Sequence, residues 1–254
     1  MASRILFFAY GVASYAIFFG TYVYALGFVT GIGTPTSLDS GNPAPLGPAL
    51  AINLALLGLF AVQHSVMARP GFKKWWTRFV PEPIERSTYV LASSVCMILL
   101  YAFWQPTGPV LWDLGGTAPG AALTAFSFAG FLTVLVTTFL INHFDLFGLR
   151  QVWLHLLGKE VRPVGFREPA PYRFVRHPLY VGWLLAFWAA PVMSLAHFVF
   201  ALGCTGYILV AIVLEERDLL AVHPEYADYR RRVPALVPRI GRAQANAERG
   251  LVAR

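Results

Sequence analysis

An all-α, multi-pass membrane fold follows from three features of this 254-residue sequence. It is 57% hydrophobic and only 13% charged, about half the charged share of an ordinary soluble domain. Its apolar residues gather into runs near the ~20 that a helix needs to cross a hydrocarbon core. Its twenty Lys and Arg residues fall only in alternate segments between those runs, so one threading places every cation on the same side.

The first four spans are Ile5 to Val29, Ala49 to Met67, Ser87 to Trp104 and Ala121 to Ile141. Met1 to Arg4 is a short positive leader, but the run behind it is long for a signal peptide and no A-x-A-like site follows closely, so it is kept as a span. The fifth run, Leu179 to Leu214, would reach roughly 54 Å as one helix, nearly twice the ~30 Å core. Pro191, Ser194 and His197 interrupt it near the middle, which predicts a helical hairpin. The cations test that reading. Arg4 precedes span one, five lie between spans two and three, six between span four and the hairpin, and eight follow Leu214. A single crossing would put those last eight outside, against the positive-inside rule. The expectation is therefore four spans plus a hairpin in the inner (cytoplasmic) membrane, both termini cytoplasmic, and a C-terminal amphipathic helix.

The chain reads as one integral-membrane domain, 1–254: a four-span bundle over 1–141, a core over 142–238 and a tail over 239–254. The Gly- and Pro-rich stretches at 31–47 and 105–120 read as outer connectors, and Trp75, Trp76, Trp104, Trp112, Trp153 and Trp183 as headgroup anchors. The net charge is +7 and every cation lies in an inner segment, so it points to an anionic leaflet and not to nucleic acid. No obligate protein partner is evident. Cys96 and Cys204 lie within apolar runs and imply neither a disulfide nor a CxxC site. The six histidines show no metal-ligand spacing, so no metal is expected. There is no Walker A loop and no convincing GxGxxG, so any nucleotide pocket uses another architecture.

Chemistry concentrates after span four. In Tyr172-Arg-Phe-Val-Arg176-His177-Pro178-Leu-Tyr180, Pro178 is placed to open a helix at its first position. Free N–H groups there favour a carboxylate, which Arg176 can grip bidentately, while Tyr172, His177 and Tyr180 offer flat faces to an adenosine. Glu215 and Glu216 close the hairpin at the same surface, where a helix C-terminus disfavours negative charge by ~0.3–1 kcal/mol. They suit ribose hydroxyls, an α-amino group or a sulfonium; the plain alternative is an ion pair with Arg217 or Arg230 to Arg232. Tyr226, Tyr229 and Val233 recur at helical spacing, predicting an amphipathic helix on the leaflet that covers the site, its arginines turned to lipid. Asn142, His143 and Asp145 stand at the end of span four, and Gln63 with His64 lies deeper in span two, where polar groups are costly.

Arg176-His-Pro-x-Tyr180-x-Gly182, an apolar hairpin, Glu215-Glu216 and then Tyr226-x-x-Tyr229-x-x-x-Val233-Pro234 resemble the isoprenylcysteine carboxyl methyltransferase superfamily of integral-membrane methyltransferases. Within it, Asn142 to Gln151, Phe166-Arg167-x-Pro169, Arg176 to Trp188 and Gln63-His-Ser-x-Met-Ala-Arg69 are similar to the bacterial methanethiol S-methyltransferases. That resemblance implies S-adenosylmethionine as cofactor, S-adenosylhomocysteine as its product, and conversion of methanethiol to dimethyl sulfide. It implies cofactor contacts at Gln151, Phe166, Tyr172, His177, Pro178, Tyr180 and Glu215 or Glu216; from the residues themselves Arg176 joins the cofactor set and Asn142, His143 and His64 are expected at the substrate, the alternative for His64 being a bond to a neighbouring helix. The chain reads Val222-His-Pro-Glu-Tyr226 where relatives carry a Phe-Gly-x-x-Tyr pattern one residue longer, so either glutamate is open to the family role. A prenylcysteine carboxylate or a larger thiol is the alternative acceptor, and the Gln63 to Arg69 stretch is also similar to non-enzymatic NnrU-like proteins.

The implied reaction joins a thiolate to a sulfonium and destroys two opposite charges, which a dry membrane-embedded pocket favours. A thiol titrating at or above ~8.5 must first lose its proton. His143 held by Asp145 is the expected base, with His177, Glu215 or Glu216 through water as the second choice.

Overall fold

A computed structural model describes residues 1–162 and 168–238 of the chain. Its elements are α1 (Ala2–Thr30), α2 (Leu46–Ala68), α3 (Pro70–Trp76), α4 (Glu82–Phe103), β1 (Val110–Asp113), α5 (Ala118–Ile141), α6 (His143–Leu146) and α7 (Leu149–Leu156). There follow a 3₁₀ turn (Ala170–Arg173), α8 (Pro178–Trp188), β2 (Val192–Ser194), α9 (Leu195–Val222) and α10 (Tyr226–Arg232). Among the described residues five helices, α1, α2, α4, α5 and α9, are long and apolar enough to cross a membrane. The protein is an all-α, multi-pass membrane protein.

Local sequence sets the ends. Gly31, at φ 72°, closes α1 in the left-handed conformation, its N–H bonded to Gly27 C=O. Thr117 and Ser194 cap α5 and α9 by accepting from the Gly120 and His197 N–H groups. α4 begins at Glu82, ahead of the predicted Ser87, because Pro83 suits a first turn and Glu82 and Glu85 complement the helix dipole.

The hairpin is present, with unequal arms. α8 has 11 residues, about 16 Å, and cannot span the core alone. The six residues Ala189 to Ser194 continue the ascent in largely extended form, adding about 20 Å. Together they match the ~32 Å of α9 between Leu195 and Glu215. β2 at the tip pairs antiparallel with β1, so the second outer connector carries a short strand that its composition did not reveal. α9 does not stop at Leu214 but runs on to Val222, placing Glu215 and Glu216 inside the helix; the dipole penalty expected of a C-terminus does not apply to them.

The two faces of the bundle are separately tied. On the face without Lys or Arg, Ala44 N–H donates to Pro106 C=O (2.9 Å) and Leu195 N–H to Pro109 C=O (2.9 Å), and Ser194 bonds Asp39. On the cationic face, Arg69 pairs with Asp218 (2.8 Å) and Arg86 donates to Leu146 C=O (2.8 Å). Between them Phe28, Leu100, Tyr101, Phe131, Ala186, Phe187 and Phe200 form the core. Trp104 and Trp183 pack in or against it instead of anchoring to headgroups, whereas Trp75, Trp112 and Trp153 stay exposed. α5 and α8 touch backbone to backbone: a Cβ on Gly130 would lie 2.6 Å from Gly182 C=O, and one on Gly182 would lie 2.9 Å from Gly130 C=O. Small residues allow that approach in a membrane, where helices gain no hydrophobic drive to associate.

Candidate active site

Packing α8 against α9 brings Arg176 and His177 to Glu216. Arg176 Nε and Nη2 each lie 2.7 Å from Glu216 Oε1, and His177 Nε2 lies 3.0 Å from the same oxygen. Arg230 Nε reaches Oε2 at 3.0 Å. Arg176 Nη1 donates to Arg230 C=O (3.0 Å) and to Val233 C=O. The backbone N–H groups of Arg176 and His177 bond Pro234 C=O (2.8 Å) and Ala235 C=O (3.1 Å), tying the segment after α10 to the start of α8. The Glu216 side chain is 5% exposed. Arg176, expected to hold a ligand carboxylate, is engaged here by a protein carboxylate, and Arg230, expected against lipid, by the same group. Breaking a buried pair of this kind strands a charge.

Glu215, one residue earlier, points elsewhere. Its side chain is 46% exposed, and Tyr180 donates to Oε2 at 3.0 Å. His177 Nδ1 stands 3.8 Å from the same oxygen, and its ring leans on Tyr180 at 5.4 Å. Tyr172, on the 3₁₀ turn, belongs to the same wall: burial, and then the Glu215 charge, push its phenol well above the usual range. Tyr229 donates to Tyr172 C=O (2.7 Å), and α10 buries Tyr226, Tyr229 and Val233 against Tyr172, Leu219 and Leu220. The tyrosines at helical spacing thus turn inward and pack α10 against the 3₁₀ turn and α9. Pro178 occupies the first position of α8 and is buried.

The segment after α5 forms a second locus. His143 Nε2 meets the Tyr15 hydroxyl at 2.8 Å and Nδ1 meets Thr138 Oγ1 at 2.8 Å. Phe139 stacks on the ring at 4.0 Å, and Phe147 closes another side at 4.9 Å. The residue is 2% exposed, and burial lowers its pKa. Asp145 does not orient it. That carboxylate pairs with Arg150 at 2.7 Å and accepts from Gln151 Nε2 at 3.2 Å. Residues two apart on a helical turn do not face each other, which is why the expected His143–Asp145 pair does not form. Gln151 Oε1 is buried with no hydrogen-bond partner among the described residues. Asn142 ends α5 and precedes α6. Phe166 lies outside the described residues. No metal-holding group of His, Cys, Asp and Glu occurs among the described residues.

His64, near the end of α2, sits in a third cluster with Tyr89 and Ser93 of α4 and Tyr207 of α9. Sequence reading found the histidine and missed its partners. The i, i+4 pair of Tyr89 and Ser93 was the available signal, but the hydroxyls looked like ordinary span residues.

No family model matches the chain, and no solved structure matches it. Curated relatives do. A methanethiol S-methyltransferase of Mycobacterium tuberculosis is 53% identical over 236 residues, covering 92% of this chain and 97% of that one. A methanethiol S-methyltransferase of Crocosphaera subtropica is 53% identical over 241 residues, 94% of each chain. The chain belongs to the methanethiol S-methyltransferase family. Nurim of Rattus norvegicus is a more distant relative, 29% identical over 86% of this chain and 91% of its own length. For this methyltransferase-family chain the geometry also separates the two glutamates. Glu216 is enclosed by cations, and Glu215 is the half-exposed carboxylate.

Proposed function

We propose that the chain methylates methanethiol with S-adenosylmethionine, giving dimethyl sulfide and S-adenosylhomocysteine, at a site on the cytoplasmic side of the inner membrane. The observation that carries this reading is the wall of Tyr172, Tyr180 and half-exposed Glu215 beside the α8 start. The names and high identity of the relatives support the acceptor, and the placement of every Lys and Arg supports the sidedness.

The residues fit the cofactor. Glu215 offers a carboxylate to ribose hydroxyls or an α-amino group, and Tyr172 and Tyr180 offer aromatic faces to the adenosine. Gln151 Oε1 is a buried acceptor in need of a donor. When bound, the cofactor supplies an electrophilic methyl group on a sulfonium. Glu215 holds and orients, the Arg176–His177–Glu216 knot fixes α8 against α9, and α10 excludes water from the wall. Removing water strengthens every charge interaction at the site and favours a reaction that neutralises charge.

Titration of S-adenosylhomocysteine into purified protein in detergent tests this. Wild type binds, and Glu215→Gln binds about 10- to 100-fold more weakly, the worth of a charge-assisted hydrogen bond of ~1.5–3 kcal/mol. No binding to wild type would overturn the reading.

A further inference from the structure

Tyr207 lies two helical turns below Glu215 on α9. Residues eight apart are about 80° apart around a helix and about 12 Å apart along its axis. Its hydroxyl receives the Ser65 hydroxyl at 3.3 Å, and its ring meets His64 edge-on at 6.3 Å. Tyr180, bonded to Glu215, is near enough to Tyr207 and Tyr89 for the three phenols to influence one another. The His64 cluster thus continues the Glu215 wall into the membrane.

The tautomer of His64 follows from the hydroxyls around it. Ser93 donates its proton to Tyr89 C=O at 3.0 Å, so towards His64 Nδ1, 3.1 Å away, it acts as an acceptor. Nδ1 therefore carries the ring proton and Nε2 keeps a lone pair. The Tyr89 hydroxyl lies 2.8 Å from Nε2 and 3.0 Å from Nδ1, against both ring nitrogens. Phe60 stacks on the ring at 5.1 Å. The guanidinium of Arg86 stands 5.1 Å over the Tyr89 ring, and Arg69 is also within electrostatic reach of His64. The nearby guanidiniums favour an anion such as a thiolate beside this cluster, while the imidazole and phenol offer it hydrogen-bonding partners.

From this geometry we infer that His64 and Tyr89 form the thiol subsite, His64 Nε2 accepting the methanethiol proton directly or through the Tyr89 hydroxyl. The inference rests on the reaction proposed above. The S–H bond breaks with its proton passing to Nε2, and the sulfur electron pair forms the new C–S bond to the donated methyl. The donor's sulfonium C–S bond breaks, its electron pair staying on that sulfur, and the imidazolium returns its proton to solvent.

His64→Asn tests the assignment, since the Asn amide can keep a hydrogen bond to Ser93 and has no proton-accepting nitrogen. The variant is expected to bind S-adenosylhomocysteine like wild type and to lose turnover by about 10²-fold or more. Raising the pH or adding imidazole restores part of that turnover. Without any methyl donor, the ultraviolet absorbance of methanethiolate bound to the S-adenosylhomocysteine complex appears at lower pH in wild type than in the variant. His64→Asn with wild-type turnover and pH profile would overturn the inference, as would a loss that neither imidazole nor alkali reverses. A wild-type chain that binds S-adenosylhomocysteine yet makes no dimethyl sulfide would overturn the reaction, and this assignment with it.

Discussion

His64 and His143 are built on one hydrogen-bonding plan and placed in two different regions. In each, a hydroxyl whose proton is already given to a backbone carbonyl accepts from Nδ1: Ser93, bonded to Tyr89 C=O, for His64, and Thr138, bonded to Leu135 C=O, for His143. In each, a tyrosine hydroxyl lies 2.8 Å from Nε2, Tyr89 for one and Tyr15 for the other, and Tyr89 also lies 3.0 Å from Nδ1 of His64. The surroundings differ. His143 is boxed by Phe139 and Phe147, and burial is the influence that lowers its pKa. His64 faces Tyr207 and two guanidiniums, on the wall that leads to Glu215. Hydrogen bonding is alike at the two histidines, so the inferred difference in role rests on what each one faces.

The largest effect is expected where that wall is anchored. Arg176→Met leaves Glu216 buried beside fewer cations and should destabilise the protein by about 3–5 kcal/mol, read from thermal unfolding in detergent. A loss under ~1 kcal/mol would mean that water reaches the knot as it does a surface pair. The matched tyrosines come next. Tyr89→Phe should slow turnover about tenfold, the kinetic worth of one hydrogen bond of ~1.5 kcal/mol, whereas Tyr15→Phe should lower stability by ~1 kcal/mol and leave turnover in the wild-type range. Equal kinetic losses would erase the distinction between the two regions.

The smallest effect is a pH dependence. The folded pKa of His143 lies below its unfolded value of about 6.5. Above that value the residue is neutral in both states and its contribution to stability is fully present. As pH falls towards the lowered folded pKa, the unfolded chain takes up a proton that the folded chain resists, and stability is lost. Unfolding temperature should thus drop between pH 7 and 5 in wild type and drop less in His143→Asn. Parallel curves would show that His143 does not resist protonation.

The spans and the hairpin were legible because a bilayer demands apolar length and sorts cations by side. Glu215 to Asp218 looked like the end of a span, yet a helix continues past its apolar stretch when partners such as Arg69 and Arg176 meet its charges. The three-residue strand β2 was too short to show a period of two. Which glutamate is open was hidden, because neighbours on a helix point about 100° apart and only the packing of α8 and α10 decides which is enclosed. The His64 pocket was half legible: a histidine in a span is conspicuous, but hydroxyls facing it from α4 and α9 are set by helix rotation. Arg176 and His177 were found by their motif, while the carboxylate they meet is set by the tertiary contact between α8 and α9.

The most direct measurement is headspace detection of dimethyl sulfide from purified wild type, His64→Asn and His143→Asn supplied with methanethiol and S-adenosylmethionine. Wild type and His143→Asn should release it at rates of the same order, with His64→Asn about 10²-fold slower. No product from wild type, or the reverse order of the two variants, would contradict the account.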